Sequence, residues 1–120
     1  MTVNKELLQL TIKTIKENPE HWNQEYWHCG TSHCFAGFAE LIFNNIPINT
    51  DEEDLIEKYK LGTFEGFSTF WQTIKNARQI LGLTEYDADV LFDKNNTLKH
   101  LEEYVDYLIE FGSLEDCLYH

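Results

Sequence analysis

Trp27-His28-Cys29-Gly30-Thr31-Ser32-His33-Cys34-Phe35-Ala36-Gly37-Phe38-Ala39-Glu40-Leu41-Ile42-Phe43 is the stretch on which the fold class turns. From Phe35 onward the apolar residues Phe35, Phe38, Ala39, Ile42 and Phe43 recur at the three- and four-residue spacing that lays a stripe along one side of an α-helix. Thr31 or Ser32, just ahead of the stripe, can cap its first turn. Asn44-Asn45 before Pro47 closes it, because the residue preceding a proline is pushed out of the helical region.

The same period continues on both sides. Upstream, Val3, Leu7, Leu8, Leu10, Ile12 and Ile15 predict a first helix that Asn18-Pro19 stops, followed by an aromatic connection from His21 to Trp27. Downstream, Thr50 with Glu53 matches a capping box and predicts a short acidic helix through about Lys58. Leu61 to Phe67 reads as a loop. Phe67, Phe70, Trp71, Ile74, Ala77 and Leu81 predict a fourth helix, with Gly82 where a left-handed C-terminal residue belongs. Thr84 and Asp87 open a short fifth helix to Phe92. After a turn at Asn95-Asn96, Leu98, Leu101, Val105 and Leu108 predict a sixth helix ending at Gly112. No strand-like alternation or internal repeat competes. The expectation is an all-α fold, a compact single-domain bundle of five to six helices spanning residues 1–120.

Composition narrows the function. A hydrophobic content of 42% with 14% aromatics is too apolar for a disordered chain. No apolar run approaches the roughly 20 residues of a membrane helix, and the N-terminus lacks the apolar core and small-residue cleavage site of a secretory signal. The expected location is the cytoplasm, with no membrane contact. Cys29, Cys34 and Cys117 are odd in number and are expected to be reduced thiols. The net charge of −12 is uneven, since residues 82 to 120 hold 10 acids against 2 bases. Such a surface repels phosphate backbones and anionic lipid, so direct nucleic-acid binding is not expected, whereas a protein with a basic surface would be attracted.

Two thiols and two imidazoles gather around the Gly30-Thr31-Ser32 turn, the one local run dense enough for chemistry. Three readings follow from these residues. In the first and preferred one the motif is structural: Cys29 and Cys34 are small buried apolar residues, Gly30 and Thr31 form turn and cap, Trp22 and Trp27 belong to the core, and Gly37 lets another backbone approach. In the second, His28, Cys29, His33 and Cys34 hold a metal such as zinc, although ligation by adjacent His and Cys is awkward. In the third, Cys34 is a reactive thiol with His33 or His28 as base, or pairs with Cys29 in redox exchange; a first-turn position would favour its thiolate. No orienting carboxylate or nucleophile motif accompanies it.

The pattern Trp27-x-Cys29-Gly30-Thr31-x-x-Cys34-x-Ala36-Gly37, preceded by Asn18-Pro19 and Trp22, resembles a set of small proteins of bacteria and their phages. Leu81-Gly82-Leu83-Thr84, then Ala88, Leu91-Phe92 and Asn96-Thr97, resembles the second half of the same proteins, so the likeness covers about two-thirds of the chain. It implies no established activity. Phe38 stands where those proteins carry Trp, and neither His28 nor His33 belongs to the shared pattern.

Lys75 to Thr84 and the helix after it have the outline of a helix-turn-helix, but Glu85, Asp87, Asp89 and Asp93 would meet phosphates with the wrong sign. A helical hairpin is the better reading. The sixth helix could present Glu102, Glu103, Asp106 and Glu110 as a carboxylate row, with Asp51 to Asp54 adding to it, in the manner of a phage inhibitor that copies nucleic-acid charge. Phosphate-binding glycine loops, dinucleotide fingerprints, HExxH and calcium loops are absent from the sequence, and no cofactor is expected. His21, His100 and His120 read as isolated surface or packing residues. The function expected is therefore a non-catalytic, acidic protein-binding module, such as a bacterial or phage regulator or inhibitor. The alternative is a thiol-dependent redox enzyme or small metal-binding protein centred on Cys29 and Cys34.

Overall fold

A computed structural model describes residues 3–24, 28–29, 32–58 and 68–115, with positions 28, 29, 32, 52, 56 and 68–73 described in backbone alone. Six α-helices dominate these residues: α1 (Lys5–Glu17), α2 (Phe35–Phe43), α3 (Glu52–Glu57), α4 (Ser68–Leu81), α5 (Glu85–Leu91) and α6 (Leu98–Phe111). The all-α bundle read from the apolar period is the fold observed. One feature lies outside that period: strands β1 (His28–Cys29) and β2 (Ser32–His33) form a two-residue antiparallel ladder pairing His28 with His33 and Cys29 with Ser32. A ladder this short leaves no alternation to detect.

The bundle is organised around α2. Every residue from Phe35 to Leu41 is buried, so this helix is covered on all sides rather than along the single stripe its sequence suggested. It packs chiefly on α1 and α4, while α6 covers the other side of α1. Phe35, Phe38 and Ala39 meet Leu8 and Ile15 of α1, Ala77 and Leu81 of α4, Leu91 of α5, and Leu101 and Leu108 of α6 in one continuous core. Leu41, Ile46 and Leu55 form a smaller cluster that seats α3. The expected end of the stripe, Phe43, is 54% exposed.

Helix ends use the chemistry the sequence offers. Asn45 takes φ 57, and its N–H and that of Ile46 donate to the carbonyls of Ile42 and Leu41 at 3.1 and 2.9 Å, closing α2 in a Schellman turn. Gly82, at φ 70, closes α4 the same way through Gln79 and Arg78. Asn4 caps α1 through Leu7 and also donates its side-chain amide to Ile80 at 3.2 Å, tying the start of α1 to the end of α4. Thr84 caps α5 as read, accepting from Asp87. Two caps differ from expectation. Asp51, not Thr50, caps α3, accepting from the Asp54 N–H at 2.9 Å; an ionised cap one residue later satisfies the same donors. Cys34, not Thr31 or Ser32, caps α2, because β2 keeps the chain extended through His33.

Candidate functional site

The thiol turn sits where the connection after α1 meets the first turn of α2. Asn18 and Pro19 turn the chain into a 3-10 turn, Pro19–His21, and the backbone of Trp22 then runs beside His33 in a parallel bridge. The Asn23 N–H donates to the His33 carbonyl at 2.9 Å. Gln24 is buried here and links three elements. Its Oε1 accepts from the Phe35 N–H and from Trp22 Nε1, both at 3.1 Å, while its Nε2 donates to the carbonyls of Leu91 and Asp93 at 3.3 and 3.1 Å. One side chain thereby satisfies an orphan donor at the start of α2 and orphan acceptors at the end of α5.

Cys34 is 1% exposed. Its Sγ accepts from the Gly37 N–H at 3.4 Å, the position a serine or aspartate oxygen holds in an ordinary N-cap. Burial pushes the thiol from 9.0 up to about 12; the backbone N–H groups of Gly37, Ala36 and Cys34 pull the other way, and the Glu40 carboxylate adds to the rise. The helix terminus does favour a thiolate, as the sequence suggested. Loss of water outweighs it. His33 is also fully buried, and its Nε2 lies 3.1 Å from the Ile48 carbonyl. A carbonyl only accepts, so Nε2 carries the proton and donates. The ring meets Phe38 edge-on, with centroids 5.9 Å apart at 86°. That nitrogen is unsuited both to taking a proton from a thiol and to ligating a metal. Among the described residues, no group of three or more His, Cys, Asp or Glu is placed to hold a metal ion.

Trp22 packs partly buried against the main core, and Gly37 lies in the buried first turn of α2. Trp27, Gly30 and Thr31, together with the side chains of His28 and Cys29, lie outside the described residues, as does Cys117.

The carboxylates of α6 divide into two groups. Glu102 meets Lys16 of α1 at 3.1 Å. Asp106 borders a groove of about 400 Å³ between α1 and α6, floored by Ile12 and Val105 and lined also by Gln9, Lys13, Lys16 and Glu17. Glu103 and Glu110 share the helix with the Tyr107 and Phe111 rings, at the four- and three-residue offsets that make neighbours on a helix surface. A buried face of Leu101, Tyr104, Val105 and Leu108 holds α6 rigidly to the bundle.

Three polar residues have structural roles that the sequence did not assign them: Glu40 drew no reading, Asp87 was read as a helix-opening surface acid, and His100 as an isolated surface or packing residue. Glu40 is completely buried on α2 and accepts from Asn76 of α4 at 3.0 Å; it is the lone charge in the Phe35–Phe43 run, which was its signal. Asp87, 1% exposed, accepts from the Leu114 N–H at 2.8 Å. His100 completes a reciprocal capping box with Thr97. For Gln24 the sequence offered no local signal, because its partners are set by tertiary packing. Among the described residues, no helix is long and apolar enough to cross a membrane. The chain matches no protein-family model, no curated protein and no solved structure.

Proposed function

We propose that the protein acts by binding, without catalysis, and that the acidic face of α6 engages a basic surface on a protein partner. The observation that carries this reading is the placement of Glu103, Asp106 and Glu110 on one well-packed helix of a chain with net charge −12. A row of carboxylates on a helix already packed into the bundle needs no backbone ordering on docking and steers a cationic partner toward it. One further observation supports a non-catalytic role: the Cys34 thiol is sealed in the core, where water and a substrate do not reach it. The resemblance to small bacterial and phage proteins suits a regulator or inhibitor working in the cytoplasm, with the carboxylates standing in for nucleic-acid phosphates.

Affinity capture from bacterial lysate at about 0.05 M and about 0.5 M salt, across which surface charges become screened, tests the reading. The wild type should retain a partner at low salt only, and the triple variant Glu103→Gln, Asp106→Asn, Glu110→Gln should lose it. A partner held equally by both proteins at both salts would overturn the proposal. Rapid modification of Cys29 or Cys34 in the native protein, located by mass spectrometry, would favour thiol chemistry instead. Stoichiometric zinc in protein purified without chelator would favour the metal-binding alternative.

A further inference from the structure

The acidic helix also carries aromatic rings, and their placement narrows the partner's chemistry. Phe111 is 61% exposed, the most exposed of the large apolar residues described. Its ring lies 4.5 Å from that of Tyr107, centroid to centroid, at 43°. Tyr107 is partly buried against the core, so it holds one side of the pair in place. His100 and Tyr104, whose rings are 6.3 Å apart, precede them at spacings of four and three residues, which puts all four rings along one flank of α6. Glu103 sits one turn before Tyr107, and Glu110 three residues after it. Unlike Glu102, which is spent on Lys16, neither forms an ion pair among the described residues.

We propose that this flank is a docking surface for arginine side chains of a protein partner, with the Tyr107–Phe111 pair as the stacking platform and Glu103 and Glu110 as the carboxylates that receive the guanidinium. The inference rests on the acidic-face reading above and specifies which cation that face selects. A guanidinium is planar and weakly hydrated, stacks on an aromatic face and presents a fork of donors to a carboxylate. A lysine ammonium is a compact, strongly hydrated charge that gains less from a ring. A purely apolar partner would strip water from the flanking carboxylates without pairing them. A second copy of the chain would bring like charge against like across a two-fold contact.

The test titrates the full chain with two short synthetic peptides of matched length, one alternating arginine with serine and one alternating lysine with serine, followed by amide NMR. The arginine peptide should bind about two- to fivefold more tightly than the lysine peptide, the gain of an exposed cation–π contact. Both should perturb α6. Phe111→Ala, a change at an exposed position, should melt like the wild type, abolish the preference and weaken the arginine peptide more than the lysine peptide. Phe111→Trp, with the better ring for a cation, should widen the preference. Equal affinity for the two peptides, or a preference that survives Phe111→Ala, would overturn arginine docking and leave the acidic face standing. Failure of both peptides to perturb α6 would overturn the acidic-face reading with it.

Discussion

At the scale of the residue, Cys34 shows a side chain whose two neighbourhoods disagree. Its backbone places it at the N-terminus of α2, where N–H groups stabilise negative charge, while its sulfur points into a core that excludes water. The second wins, and the thiol is pushed up to about 12. This has a consequence for stability. In the unfolded chain the thiol ionises near 9.0, so between that value and about 12 the unfolded state has released a proton that the folded state keeps. Stability contributed by the neutral thiol is complete below the lower value and falls as pH rises through this window. Cys34→Ser keeps a capping atom and removes the ionisation. The difference in unfolding free energy between wild type and Cys34→Ser, taken by urea titration, should therefore shift by about 1 kcal/mol in favour of serine between pH 7 and pH 10. A difference that stays constant with pH would mean that water reaches the sulfur.

At the scale of the element, the helices were legible where one local rule sufficed, and their ends where one residue could supply the cap. Thr84 and Gly82 were read correctly because cap and left-handed glycine each act within a single turn. The α2 cap was misplaced because β2, a pairing between two short segments, decides where extended backbone stops. The all-round burial of α2 was hidden for a related reason: apolar spacing identifies the face that must be covered, not how many neighbours arrive to cover the rest. In the thiol turn, which residue types cluster was plain from sequence. That His33 points toward the Ile48 carbonyl and that the Cys34 sulfur is closed off from water depended on packing from segments farther along the chain. His100 was read as isolated because capping boxes are recognised by Glu or Gln at that place. Its Nδ1 accepts the Thr97 N–H, and the Thr97 hydroxyl accepts the His100 N–H, both at 3.2 Å. His100→Ala should cost about 0.5–1 kcal/mol by removing one half of this exchange. His100→Glu should recover the loss and exceed the wild type, since a carboxylate also complements the helix N-terminus. Thermal melts of the three proteins check the order, which would reverse for Glu if the reciprocal cap did not form.

At the scale of the whole molecule, the chain is closed by polar contacts between segments far apart in sequence. Asn4 joins α1 to α4, Gln24 joins α2 to α5, and Asp87 joins α5 to the segment after α6. Asp87 is the most consequential, because it is a carboxylate with almost no exposure and its Oδ1 receives the Leu114 N–H at 2.8 Å, with Ser113 Oγ more distant at 3.5 Å. Gly112, at φ 80, turns the chain off α6 so that Leu114 enters the core beside this clasp. Removing the carboxylate leaves the Leu114 N–H buried without its acceptor. Asp87→Ala should therefore lower stability by about 1–3 kcal/mol, and Asp87→Asn, which retains an acceptor oxygen, by less. If the clasp is the cause, Leu114→Ala and Asp87→Ala should be non-additive, since either change alone already loosens the shared segment. Hydrogen exchange offers a second reading: the Leu114 amide should lose protection in Asp87→Ala while the α1 amides of Leu8 and Ile15 keep theirs. Additive losses, or unchanged protection at Leu114, would show that Asp87 acts only within α5 and that the C-terminal segment is held by the Leu114 side chain alone.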